Sequence, residues 1–224
     1  MDKKLSRELK EVLDLKSSPI AISFTNEAPD AVTLMRGKAR LCEMLDKVRL
    51  NGKSFYTVSE CHDCDGGAGS CGLRLPSEAS RTGEFLVKMG LFGSTRAAVR
   101  FLHSNPRIEF GTAKVVSFSP LEKATFEPDV VVLVCNAKQG MEMAEAFAYD
   151  TGKRVTGLTG PPICSAVVAA PLLSGEITYS LGDAGARHYM QMKDDDILVG
   201  IPAELLPQIV ANLVSRAVAR TNKN

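Results

Sequence analysis

Apolar and polar positions alternate along this chain in two rhythms, one near 3.6 residues and one near 2. Leu5, Leu9, Val12, Leu13 and Leu15 form an apolar stripe among lysines and glutamates, which predicts an amphipathic helix. Ser17, Ser18 and Pro19 end it, and residues 20–24 (Ile-Ala-Ile-Ser-Phe) predict a strand. A second helix is predicted over 38–49, with Leu41, Leu45 and Val48 on one face, then an Asn51-Gly52 turn and a strand over 55–58. Helical segments are expected over 83–91 and 94–103, the latter capped by Ser94.

The second half is more regular. A short strand at 115–118 leads to a turn or short helix at 119–122. The β-branched run Val130-Val131-Val132-Leu133-Val134 reads as a strand buried on both faces. Residues 139–149 read as a helix stopped by Gly152, and a loop over 157–162 leads into Cys164 and an apolar helix to about Leu173. Strands are predicted at 177–181 and 197–201. Pro202 suits a first helical position, and 205–218 forms a final amphipathic helix. The expected fold is α/β, with α+β as the variant: one mixed sheet flanked by helices, in a single domain spanning residues 1–224. Strand order is open at this stage.

One stretch fits neither rhythm. Cys61-His62-Asp63-Cys64-Asp65-Gly66-Gly67-Ala68-Gly69-Ser70-Cys71-Gly72-Leu73 packs three cysteines among four glycines and is expected to be a loop free to wrap around something. Cys61 and Cys64 have the C-x-x-C spacing that turns two sulfurs towards one point, as zinc and iron sites require. Cys71 follows across flexible glycines whose N–H groups can approach sulfur. Cys164, opening a helix, and Cys42, within one, are the candidates for a fourth ligand, while Cys135 reads as a small apolar residue.

Composition narrows the classes. At 224 residues, 45% apolar and 24% charged, the chain is ordinary for a globular protein. A net charge of +1 gives no reason to expect nucleic acid or an anionic membrane as partner. No segment nears the roughly 20 apolar residues of a membrane span, and the charged start at residues 1–8 lacks the apolar core of a secretion signal. The cytoplasm is the expected location, where six cysteines suggest metal or thiol chemistry rather than three disulfides.

A metal centre is therefore expected at Cys42, Cys61, Cys64, Cys71 and Cys164, with a four-iron iron–sulfur cluster ahead of zinc. Its work would be electron transfer or substrate binding at an open iron. A second tidy C-x-x-C pair is missing, while His62 between the paired cysteines keeps zinc in view. The alternatives are a zinc-stabilised binding module without catalysis and a thiol oxidoreductase using Cys61 and Cys64. Arg187, four residues after Asp183 in a glycine-flanked stretch, could clamp an anionic cofactor or substrate; a glycine turn with a local ion pair is the plain alternative. His188 is expected at the surface. Gly66–Gly69 lacks the Gly-Lys-Ser/Thr ending of a phosphate loop. Expected partners are a redox protein or a small anionic substrate, and the apolar C-terminal helix could support a homodimer.

These residues also resemble a prokaryotic family, domain of unknown function family 169, found in archaea and anaerobic bacteria. The similarity runs through Pro19-Ile20-Ala21-Ile22, Leu41-Cys42, Cys64-Asp65-Gly66-Gly67-Ala68, Gly72-Leu73, Glu127-Pro128-Asp129, Cys164-Ser165-Ala166, Gly182-Asp183-Ala184-Gly185-Ala186-Arg187 and Val199-Gly200-Ile201-Pro202. The resemblance implies no reaction, since the family has no assigned activity. It marks Cys42, Cys64 and Cys164 as recurring cysteines, with Cys61 and Cys71 belonging to this branch.

Overall fold

A computed structural model describes residues 3–160 and 162–221; Pro161, in the loop expected before Cys164, and Met1 and Asp2 of the charged start lie outside the described residues. Helix α1 (Lys3–Leu13) leads to strand β1 (Ile20–Thr25), helix α2 (Leu41–Arg49) and strand β2 (Phe55–Thr57). Helices α3 (Asp65–Ser70), α4 (Glu78–Arg81), α5 (Glu84–Lys88) and α6 (Thr95–Ser104) follow. Then come β3 (Val115–Pro120), β4 (Val130–Asn136), α7 (Ala137–Thr151), β5 (Thr156–Gly157), α8 (Ala170–Ser174), β6 (Thr178–Ser180), α9 (Ala184–Tyr189), β7 (Asp196–Pro202) and α10 (Leu206–Thr221).

The seven strands form one mixed sheet in the order β2-β3-β1-β4-β7-β6-β5. All neighbours are antiparallel except β5 and β6. The expected α/β class is what the chain adopts. The run read as doubly buried is β4, whose residues 130–135 are all buried. Because strand side chains alternate, Val130, Val132 and Val134 face one core and Val131, Leu133 and Cys135 the other. The second core is covered by α1, α7 and α10 through residues such as Leu9, Phe147 and Val210. The first is covered by α2 and the cysteine-bearing segments.

Local chemistry explains most boundaries. Ser94 caps α6 by accepting the Ala97 N–H at 3.3 Å, and Asn136 caps α7 by accepting the Gln139 N–H at 2.9 Å. Gly152 ends α7 in the left-handed conformation, φ 62°. Pro202 closes β7 and precedes a 3₁₀ turn over Ala203–Leu205, rather than starting the last helix directly. The two-residue edge strand β5 escaped the sequence pattern because so short a segment has no periodicity.

Two departures shape the site. The stretch expected to be only a loop contains α3, although its sequence is Asp-Gly-Gly-Ala-Gly-Ser. Tertiary fit overrides glycine's poor helix propensity: a Cβ at position 67 would stand 3.1 Å from Leu41 Cβ and 3.2 Å from Cys64 Sγ. Glycine lets the helix seat there without displacing either neighbour. The second departure is the apolar helix after Pro162, which opens as a π-helical stretch over Cys164–Ala169 before tightening into α8. Such widened turns recur at functional sites. Its backbone lies directly on β7, where a Cβ at Gly200 would collide with the Val167 carbonyl. Thr178 donates to the Ala166 carbonyl at 2.6 Å, satisfying one acceptor in the widened turn.

Candidate metal centre

Four of the five predicted cysteine ligands gather on one face of the sheet. Cys42 sits in the first turn of α2, Cys64 precedes α3, Cys71 follows it, and Cys164 opens the π-helical stretch. Cys64 is the N-cap of α3: its sulfur accepts the Gly67 N–H at 3.3 Å. That bond is the type that stabilises thiolate character in metal sites. Cys64 and Cys164 both act electrostatically on Cys42 and on Cys71, adding to the rise that burial causes in each.

The remaining two cysteines point elsewhere. Cys61 is buried in the same core, but its thiol turns to the Met35 carbonyl at 3.8 Å. Cys135 lies on the opposite face of the sheet, in the core beneath α7 and α10. All six are free of disulfides. The sulfurs are neighbours rather than a finished shell: among the described residues, no group of three or more His, Cys, Asp or Glu side chains is arranged to hold a metal ion.

Burial favours the neutral thiol at Cys42, Cys71 and Cys164. Burial pushes Cys164 up to about 12, helped by the nearby Cys64 and Asp183 and opposed by a hydrogen bond from Ser70. Burial likewise raises Cys42 and Cys71, with neighbouring sulfurs adding to it. Cys42 and Cys64 are half-buried and Gly66 is exposed, so the group opens to solvent on that side.

Several polar residues fasten the elements together. Asp183 accepts the Ile163 N–H at 2.7 Å with one carboxylate oxygen and caps α9 with the other, through Gly185 (2.7 Å) and Ala186 (3.1 Å). It ties the start of the Cys164 helix to α9. Ser70 and Ser165 share a hydroxyl bond at 2.8 Å, joining α3 to the π-helical stretch. Asp65 would be raised by its partial burial, but hydrogen bonds from Ser77 and Ser80 outweigh that and hold it below its ordinary value. Asp46 and Arg49, paired at 2.6 Å, grip the Gln191 backbone: Asp46 accepts its N–H and Arg49 donates to its carbonyl.

Arg187 has a different setting from the one expected for an anion clamp. Its guanidinium donates to the carbonyls of Leu181 (2.6 Å), Lys193 (2.5 Å) and Asp196 (2.7 Å), so its fork holds backbone together. His188 is exposed, as expected. His62 received less weight in the sequence than its placement warrants: it is buried, and burial and the nearby Arg74 lower it to about 4, so it is neutral. Ser165 stood only within the resembling Cys164-Ser165-Ala166 segment, and Ser70 and Arg74 carried no pattern that marked them.

A family model described as Uncharacterised ArCR, domain of unknown function 169, matches residues 8–212. An uncharacterised protein of Methanocaldococcus jannaschii is 29% identical over 213 residues, which cover 92% of this chain and 90% of that protein. No solved structure matches the chain. No helix among the described residues is long and apolar enough to cross a membrane.

Proposed function

We propose, from the premise that this chain belongs to the family of uncharacterised ArCR proteins, that its cysteines hold a metal centre, with an iron–sulfur cluster as the occupant. Cys42, Cys64 and Cys164 supply thiolates, and Cys71 is a fourth sulfur within reach. One observation carries the reading: the glycine helix α3 lies against two of the sulfurs, the Cβ position of Gly66 being 3.9 Å from Cys164 Sγ and that of Gly67 3.2 Å from Cys64 Sγ. These thiols, protonated in the metal-free chain, would give up their protons as a cation came to share the sulfurs. A set of soft sulfur donors selects iron–sulfur clusters or zinc over hard cations.

The same surroundings weigh against a dithiol oxidoreductase. Such an enzyme would join Cys61 to Cys64, whereas the Cys61 thiol faces the Met35 carbonyl. In the metal reading the protein works in the reducing cytoplasm and exchanges electrons with a redox partner or binds a small substrate at the centre.

Anaerobic purification tests this. The protein should be brown, with broad absorption near roughly 400 nm and acid-labile sulfide. Cys64→Ser should lose the colour, while Cys135→Ala should keep it. A folded preparation without iron or sulfide but with stoichiometric zinc would replace the cluster with the zinc reading. A folded preparation with no metal would end both.

A further inference from the structure

The helical excursion between α3 and β3 forms an arm that buries little of itself. Across residues 78–104 only Gly83 and Ala98 are buried. Those two meet tightly, a Cβ at Gly83 standing 2.7 Å from Ala98 Cβ, and Phe92 lies against Phe101 with ring centroids 4.9 Å apart. Much of the remaining hydrocarbon faces water: Phe85 is 51% exposed, Met89 56% and Leu91 45%. Single exposed apolar side chains are ordinary, but several gathered in one segment mark an interaction surface.

Charge is gathered there too. Residues 74–107 hold six lysines and arginines against two glutamates, a net +4 in a chain whose total is +1. Arg81, Lys88, Arg96 and Arg100 are exposed, and none of them pairs with a carboxylate among the described residues. Cation and hydrocarbon share one face of α5: Phe85, Lys88 and Met89, three and four positions apart, all point outward, while Leu86 and Val87 are half-buried. On α6, Arg96 and Arg100 are four apart on one exposed side.

This mixing decides the occupant. A helix lying in a membrane surface keeps its cationic and apolar faces apart. A nucleic-acid backbone would take up the cations but leave Phe85, Met89 and Leu91 in water. A second copy, arm against arm, would set like charges opposite one another. A protein surface with apolar side chains among carboxylates satisfies both kinds of residue.

We propose that this arm, α4 to α6, docks a partner protein whose contact surface is apolar and ringed by aspartate and glutamate. Both ends of the arm are fastened to the α3 segment. Asp65 accepts the Ser77 N–H at 3.1 Å and the Ser80 hydroxyl at 2.8 Å. At the other end, the Ile108 N–H donates to the Ser70 carbonyl and the Gly111 N–H to the Gly72 carbonyl, each at 3.0 Å. The docked partner therefore stands beside the helix that Cys64 and Cys71 bracket. The inference does not rest on what those cysteines hold, and metal content has no bearing on it.

The test uses the full chain and two fluorescent helical peptides, read by anisotropy in low and high salt. Both carry a leucine stripe; one is flanked by glutamates and the other by lysines. The glutamate peptide should bind about tenfold or more tightly than the lysine peptide, and salt should weaken it. Phe85→Ser with Met89→Ser, and separately Arg96→Glu with Arg100→Glu, should each weaken it by about tenfold or more. All four positions are exposed, so both double variants should keep the wild-type circular dichroism. Equal binding of the two peptides, binding of neither, or binding that survives either double variant overturns the proposal. Phosphatidylglycerol vesicles that bind the chain more tightly than the glutamate peptide would give the surface to a membrane and overturn it. A dimer in sedimentation that Phe85→Ser with Met89→Ser breaks into monomers would give it to a second copy, with the same result.

Discussion

At the scale of single residues, burial sets the chemistry, and its sign can be checked by pH. His62 is lowered to about 4 from an ordinary 6.5, so the unfolded chain takes up its proton first as the pH falls. Stability should therefore drop on acidification from about pH 6.5 towards 4, and His62→Gln should flatten that slope in urea titrations. Cys164 is raised to about 12 from an ordinary 9.0, so between those values the unfolded thiol has lost its proton and the folded one has not. The metal-free protein should lose stability as the pH climbs above about 9, and Cys164→Ala should lessen the effect. The cysteines themselves were legible in the sequence, because thiols clustered among glycines are rare. What the sequence could not show was direction. Spacing grouped Cys61 with Cys64, yet the Cys61 thiol faces the Met35 carbonyl while Cys42 and Cys164, far away along the chain, lie near Cys64.

At the scale of elements, close approach matters more than propensity. Long periodic segments such as α1, α7, α10 and β4 could be read directly, since burying an apolar stripe leaves a repeating mark. Helix α3 could not, because its three glycines give it little propensity of its own and the tight space beside Leu41 and Cys64 is set by other segments. The π-helical stretch escaped for the same reason: it depends on Gly200 of β7, distant in sequence. Gly200→Ala should push a methyl into the Val167 carbonyl and destabilise the protein by about 1–3 kcal/mol, seen as a lower denaturant midpoint. Arg187 belongs to this scale too. Arg187→Ala should destabilise by about 1–3 kcal/mol because three carbonyls lose a charged donor, and Arg187→Lys should not restore the loss, having no planar fork. A variant as stable as wild type would show that these bonds contribute nothing to stability.

At the scale of the whole molecule, the sheet divides two jobs. One face carries α1, α7 and α10 over a hydrocarbon core, and the other carries the cysteine group beneath α2, α3 and the Cys164 helix. Alternation along β4 places Cys135 on the first of these, so Cys135→Ala should change stability modestly and metal content not at all; iron or zinc analysis of the variant checks it. The α/β class followed from the pattern, but the strand order did not, because pairing depends on which apolar faces meet and not on their sequence.

That strand order has a consequence for how the chain is made. The first strand to leave the ribosome, β1, ends up between β3 and β4, neither of which has then been synthesised. Cys42, Cys64 and Cys71 likewise emerge well ahead of Cys164. The growing polypeptide cannot close this face until its last third has appeared, so under the proposed metal reading the centre is filled after translation rather than during it.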